Sequence, residues 1–201
     1  MYRAVGWKAS QVGLPPDRAD EIVTLCGKME IQFEGDDPTA QRVIVDGVDV
    51  TDAIRSAAAG EMASAVSAIP GVRERLVAVQ RAIGEREPVV MEGRDIQTAV
   101  FPEAPVKIFL TASPRERARR RWQELRDRGE DTDLDQLTRD IERRDRRDST
   151  REHSPLRPAP GAITIDTEGL TPEEVADRIV EIARVTGAAH PANIDTASGD
   201  C

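Results

Sequence analysis

The sequence predicts an α/β fold built on a parallel sheet, and three observations predict it. Short apolar runs at 88–92, 106–110 and 162–167 have the length of buried strands. Helical patterns alternate with them rather than segregating to one end. The loop after the first run is Gly93-Arg94-Asp95, which puts a guanidinium at the carboxyl end of a strand, where open α/β sheets bind ligands.

Along the chain, residues 1–29 read as helix broken at Pro15 and Pro16, with Ile22, Val23 and Leu25 apolar on a second segment from Asp17 to Lys28. Met1 enters that pattern without a capping residue, as if the helix began earlier. Residues 30–50 change character. Ile31-Gln32-Phe33 alternates, Val43-Ile44-Val45 is β-branched, and Asp46-Gly47 is a hairpin turn before Val48-Asp49-Val50. These features predict a small antiparallel insert. Helix returns over 51–86, where Pro70 suits a first helical position, Val72, Leu76, Val79 and Ile83 hold the spacing, and Gly84 ends it.

Ser113-Pro114-Arg115-Glu116 reads as a capping box opening a helix that stops at Gly129. A second helix is expected over roughly 134–148, then a loop through Pro155, Pro158 and Pro160. Thr171-Pro172-Glu173-Glu174 is another capping box, before Val175, Ile179, Ile182 and Val185. Residues 188–201 are small and polar and are expected to be disordered.

Composition narrows the function. A net charge of −9 argues against a general nucleic-acid or membrane-surface binder. No stretch is apolar enough to span a membrane, and the N-terminus lacks the apolar core of a signal peptide. Two distant cysteines, Cys26 and Cys201, make neither a disulfide framework nor a metal cluster, which fits a reducing cytoplasm. Nothing marks an oligomer interface, so a monomer is expected.

Of 25 arginines, 14 fall between residues 113 and 157. Arg117 and Arg121 share a helix face, as do Arg144, Asp148 and Arg151 if the second helix runs that far. Interleaved acids such as Glu116, Glu124, Asp140 and Asp145 allow the plainer reading of a solvated, ion-paired surface. Converging arginines after a Gly-Arg-Asp loop also suit phosphoryl transfer, where catalysis is mostly positioning and charge stabilisation. His153 is read as a loop residue, and Trp7 and Trp122 as packing residues.

Tyr2-Arg3, Gly93-Arg94-Asp95-Ile96, the run from Val100 to Leu110 and the block Arg144-Asp145-Arg146-Arg147-Asp148-Ser149-Thr150-Arg151 together resemble bacterial cytidylate kinases, in order from Met1 to about Gly187. The resemblance implies a P-loop nucleoside monophosphate kinase fold over 1–187: a parallel sheet with helices on both faces, the 30–50 insert as a small antiparallel β domain, and 113–157 as the helical lid and arginine-rich region. It implies transfer of the ATP γ-phosphoryl group to CMP or dCMP, with Mg²⁺ inferred from the reaction class. Tyr2, Arg3, Arg94 and Asp95 would belong to the monophosphate site, Arg3 and Arg94 on its phosphate. Arg144 and Asp148 would read the cytosine and sugar end. Arg151 would approach the phosphates between donor and acceptor. Arg117 and Arg121 would serve the lid near ATP, with Arg119 and Arg120 as competing registers. No protein metal ligands are implied.

Two departures accompany the resemblance. The family opens with a strand and a Walker A loop ending in Gly-Lys-Ser/Thr, and no such motif occurs in these 201 residues. The expectation is therefore that the first strand and P-loop are absent from this chain, leaving apolar sheet edges exposed. A start codon set too far downstream and a genuinely shortened, inactive chain are the two explanations. The agreement of the remainder at every level favours the first. The second departure is Gln97, where the family has glycine: it either strains a positive-φ position or meets the substrate.

Overall fold

The computed structural model describes residues 1–35, 40–86, 88–150 and 155–186. They form two compact units, one from Met1 to Val90 and one from Met91 onward.

In the first unit, α1 (Tyr2–Gln11) buries Ala4, Val5, Gly6 and Ala9. It lies against α3 (Ala57–Val66) so closely that a Cβ on Gly6 would sit 3.0 Å from the Ala63 nitrogen. α2 (Ala19–Lys28) buries Ile22 and Cys26, spaced i, i+4. α4 (Pro70–Gly84) buries Val72 and Leu76 at the same spacing, with Pro70 in its first turn. Val5, Ile22, Cys26, Val66, Val72 and Leu76 meet in one core cluster. Each large side chain fully buried there contributes about 1.5–3 kcal/mol.

The expected insert is present as β1 (Ile31–Glu34), β2 (Arg42–Val45) and β3 (Val48–Asp49), antiparallel in that order. Asp46 and Gly47 between β2 and β3 have φ of 50° and 78°, the double left-handed turn that such a tight hairpin requires. Asp46 also binds Lys8 at 2.7 Å and accepts from the Glu30 amide at 2.9 Å, tying the hairpin to α1 and to the entrance of β1. Both contacts hold its carboxyl below the usual range, the Lys8 hydrogen bond most.

In the second unit, β4 (Ile108–Thr111) pairs with β5 (Ile163–Asp166) in parallel, Ile108 opposite Ile163 and Thr111 opposite Asp166. The parallel pairing is as expected, but it has two strands rather than three. Residues 88–92 are not a strand: no described strand pairs with them, and Val90 is fully exposed. An apolar run without a partner leaves its ladder groups unmatched, so composition alone does not make it a strand. Nor are the two strands buried throughout. Ile165 is buried, while Leu110 and Ile163 are 49% and 42% exposed. A two-stranded sheet covers too little of its own surface.

α5 (Pro114–Asp127) and α6 (Leu134–Thr150) pack against one another, joined through Gly129 at φ 77°. α7 (Pro172–Val185) begins at the predicted capping box, with Thr171 and Glu174 bonded reciprocally. At Ser113 only half of the predicted box forms. The Ser113 hydroxyl accepts from the Glu116 amide, but the Glu116 carboxylate turns to Arg119 and Arg120. Glu168, just beyond β5, takes its place, accepting from the Ser113 amide at 2.9 Å and its hydroxyl at 3.1 Å. That exchange clips α5 to the carboxyl end of β5.

Candidate phosphate-handling site

The carboxyl end of β4 opens onto two cavities, and the loop after β5 lines the larger. The larger, about 740 Å³, is lined by Thr111, Arg117, Arg119, Arg120, Thr167 and Thr171 among others. The smaller, about 280 Å³, is lined by Thr111, Arg117, Asp145, Arg146, Ser149 and Leu156 among others. Arg117 stands in both walls.

α5 positions these arginines because Ala118 and Leu125 lock one of its faces inward. Arg120 is spent on structure. It donates to the Thr167 carbonyl at 2.5 Å and hydroxyl at 3.1 Å, and to Glu116 at 2.9 Å. Thr167 in turn donates from both its hydroxyl and its amide to the Thr111 carbonyl, joining the two strand ends. Arg117 donates to the Ala112 carbonyl and to both oxygens of Asp145. Arg121 faces elsewhere: it pairs with Glu124 and lines neither cavity.

Hydrogen bonds from Arg119 and then Arg120 pull the Glu116 carboxyl down to about 2 from 4.5. Because the folded value is the depressed one, the stability it brings is complete above about pH 4.5 and is lost as pH falls toward 2. Glu116→Gln is expected to flatten that part of the acid-unfolding curve, as read by circular dichroism against pH, and an unchanged curve would reject the assignment.

A second cluster gathers around Asp148 on α6, which is only 4% exposed. Arg94 forms an ion pair with it, and Arg144, one helical turn earlier, brings Nε to 3.7 Å from the same oxygen. Burial lowers the Arg94 guanidinium from its ordinary value, and the charge of Arg144 lowers it further, while Asp148 and Asp145 raise it. It remains a cation at neutral pH. Arg94 is carried by a turn anchored on Asp95, whose carbonyl accepts from the Thr98, Ala99 and Val100 amides at 3.2, 2.8 and 3.3 Å. Asp95 is itself buried, and the residues Ile96–Val100 wind as a π-helical turn.

Gln97 lies in that turn without a positive φ, so the strain that its side chain would cause there does not arise. Its Oε1 is buried with no hydrogen-bond partner among the described residues.

Arg94, Arg144 and Asp148 are thus together in one cluster, and Arg117 stands beside it on the cavity walls. Tyr2 and Arg3 belong to the first unit. There the Arg73 guanidinium lies 5.9 Å from the Tyr2 ring centre, and Arg3 donates to the Ile54 and Ser56 carbonyls at 2.7 and 3.3 Å. Arg151, His153 and the 188–201 tail lie outside the described residues. Trp122 packs as expected, donating to the Thr132 carbonyl with Arg126 over its ring. Sequence reasoning missed Asp145, Thr167 and Glu168. Asp145 had a signal, since it is one helical turn from Asp148 and shares its face.

The arrangement presents guanidinium groups at strand ends and on a helical hairpin, with one buried carboxylate among them. Such equipment binds and orients phosphorylated ligands and spreads developing negative charge.

A family model described as cytidylate kinase matches residues 1–185. The chain is 50% identical over 182 residues to a cytidylate kinase of Geobacillus thermodenitrificans, covering 90% of this chain and 81% of that one. It is 45% identical over 191 residues to a cytidylate kinase of Geobacter sulfurreducens, covering 95% and 82%. It is also 48% identical over 198 residues to a bifunctional pantoate ligase/cytidylate kinase of a Synechococcus strain, covering 94% of this chain but spanning only 36% of that longer protein.

Proposed function

Since this chain belongs to the cytidylate kinase family, with its P-loop nucleoside monophosphate kinase fold, we propose that it transfers the γ-phosphoryl group of ATP to CMP or dCMP, yielding CDP or dCDP. The observation that carries this reading is the Arg94–Asp148–Arg144 cluster within a chain matched from residue 1 to 185. A phosphate oxygen of the acceptor would attack the γ-phosphorus in line, so the protein's task is to hold two anions together and absorb the charge.

In this reading Arg94 grips the acceptor phosphate, with Asp95 beside it. Arg144 and Asp148 take the nucleoside end, where a carboxylate accepts from pentose hydroxyls. Arg117 acts on the donor phosphates, and Arg151 approaches the phosphates between donor and acceptor. Arg117 has the most direct support, because it walls both cavities. Among the described residues no three His, Cys, Asp or Glu side chains form a metal cage. Mg²⁺ would arrive with ATP, held chiefly by phosphates and water. No helix among the described residues is long and apolar enough to cross a membrane. A cytoplasmic, monomeric enzyme working on small nucleotides, with no nucleic-acid partner, is the setting proposed.

A second reading has one observation in its favour. Taken alone, these 201 residues, which contain no Gly-Lys-Ser/Thr phosphate loop, would bind a pyrimidine monophosphate without transferring to it. One experiment separates the two: the 201-residue chain is given Mg²⁺, ATP and CMP, dCMP or UMP, with ADP release followed enzymatically and CMP binding by calorimetry. Turnover favouring CMP and dCMP supports the kinase. CMP binding without ADP supports the second reading. Neither signal sinks both.

A further inference from the structure

Asp145 has no role in the proposed reaction, yet it holds the arginine that walls both cavities. Arg117 donates from Nη1 to Oδ1 at 3.0 Å and from Nη2 to Oδ2 at 2.5 Å, while its Nε donates to the Ala112 carbonyl at 3.1 Å. A guanidinium offers two edges for bidentate binding of an anion, the Nη1–Nη2 end and the Nε–Nη2 side. Asp145 occupies the first, and Ala112 blocks the second. A phosphate entering either cavity meets a cation whose paired donors are already committed.

The pair is also exchangeable. Its side chains are 35% and 27% exposed, and a partly solvated ion pair of this kind opens at little cost. The neighbouring Asp148 is different, with a side chain 5% exposed and two arginines beside it. Asp145 further carries the right geometry for the part: two oxygens presented side by side, as a phosphate would present them.

We propose that Asp145 is an internal stand-in for phosphate. It holds Arg117 at the shared wall while no polyphosphate is bound, then yields the guanidinium to the incoming donor phosphates. It is a positioning residue that sets donor affinity by competing for Arg117. The proposal rests on the reading of Arg117 as a phosphate contact.

Inorganic tripolyphosphate binding to the full chain, measured by calorimetry at low salt, tests it. Asp145→Asn removes the competitor and is expected to tighten binding by on the order of tenfold. Asp145→Glu keeps a carboxylate and is expected to bind like the parent. Asp140→Asn, on the same helix and bonded to Arg143 and to the Gln136 amide, controls for the loss of one negative charge and is expected to change binding less than about twofold. In an Arg117→Met background the Asp145→Asn gain should vanish. Circular dichroism confirms that each variant is folded, and Asp145→Ser replaces the asparagine variant if that one is not.

A gain no larger than that of Asp140→Asn, a gain that survives in Arg117→Met, or weaker binding would overturn the proposal. If Arg117→Met alone leaves tripolyphosphate binding untouched, the underlying reading of Arg117 fails instead.

Discussion

Asp148→Ala is expected to lower the stability of the chain by about 3–5 kcal/mol, the cost of removing one partner from a buried ionic cluster. The side chain is 5% exposed, and its carboxylate stands against both Arg94 and Arg144. Its loss removes the carboxylate that offsets the charge of Arg144 on the Arg94 cation, a charge that already disfavours it. Against a typical total of about 5–15 kcal/mol, that loss is large. Urea unfolding is the check, and the midpoint should fall. Asp148→Asn keeps the shape and one acceptor oxygen, so it should lose less. A midpoint within the error of the parent would show that the arginines find other partners.

Arg94→Ala is expected to reduce kcat/KM for CMP by about 10²–10³, equivalent to roughly 3–4 kcal/mol of transition-state stabilisation. The loss should fall on CMP parameters and leave the KM for ATP nearly unchanged, because Arg94 is assigned to the acceptor phosphate. Its stability cost should be smaller than that of Asp148→Ala, since Asp148 keeps Arg144 nearby. Arg94→Lys should recover little activity, because an ammonium cannot reproduce a planar two-donor grip. Steady-state kinetics varying each substrate in turn decides the matter. A change confined to ATP would move Arg94 to the donor side.

Local chemistry was the most legible part of the chain. Asp46-Gly47 announced a hairpin because few residue pairs tolerate two left-handed positions, and the hairpin is there. Thr171 and Glu174 announced a capping box, and both of its bonds are made. The same rule at Ser113 was half right. Its failure has a physical cause: two arginines compete for Glu116, and Glu168 reaches in from a strand end 55 residues away. No local pattern reports such a competitor.

The apolar run at 88–92 failed for a related reason. β-structure needs a partner, and residue type says only that a segment is able to pair. Within the arginine block, helical spacing placed Arg144 and Asp148 on one face, and they do meet. That Arg94, 54 residues before Asp148, joins them could be suspected from its motif but not deduced from spacing. The register among Arg117, Arg119, Arg120 and Arg121 was open, because four cations on a single helix look alike in one dimension.

By itself the sequence determined the alternation of helices with short strands, the antiparallel insert, the helix caps and the family, because these rest on interactions a few residues apart and on ordered motifs. Tertiary structure alone decided which arginine walls the cavities, which is tied to Thr167, and which carboxylate holds Arg117. Those choices turn on which side chain reaches a given oxygen across elements far apart in the chain. The energies that separate the alternatives come from burial and hydrogen-bond geometry, which exist only once the chain has folded.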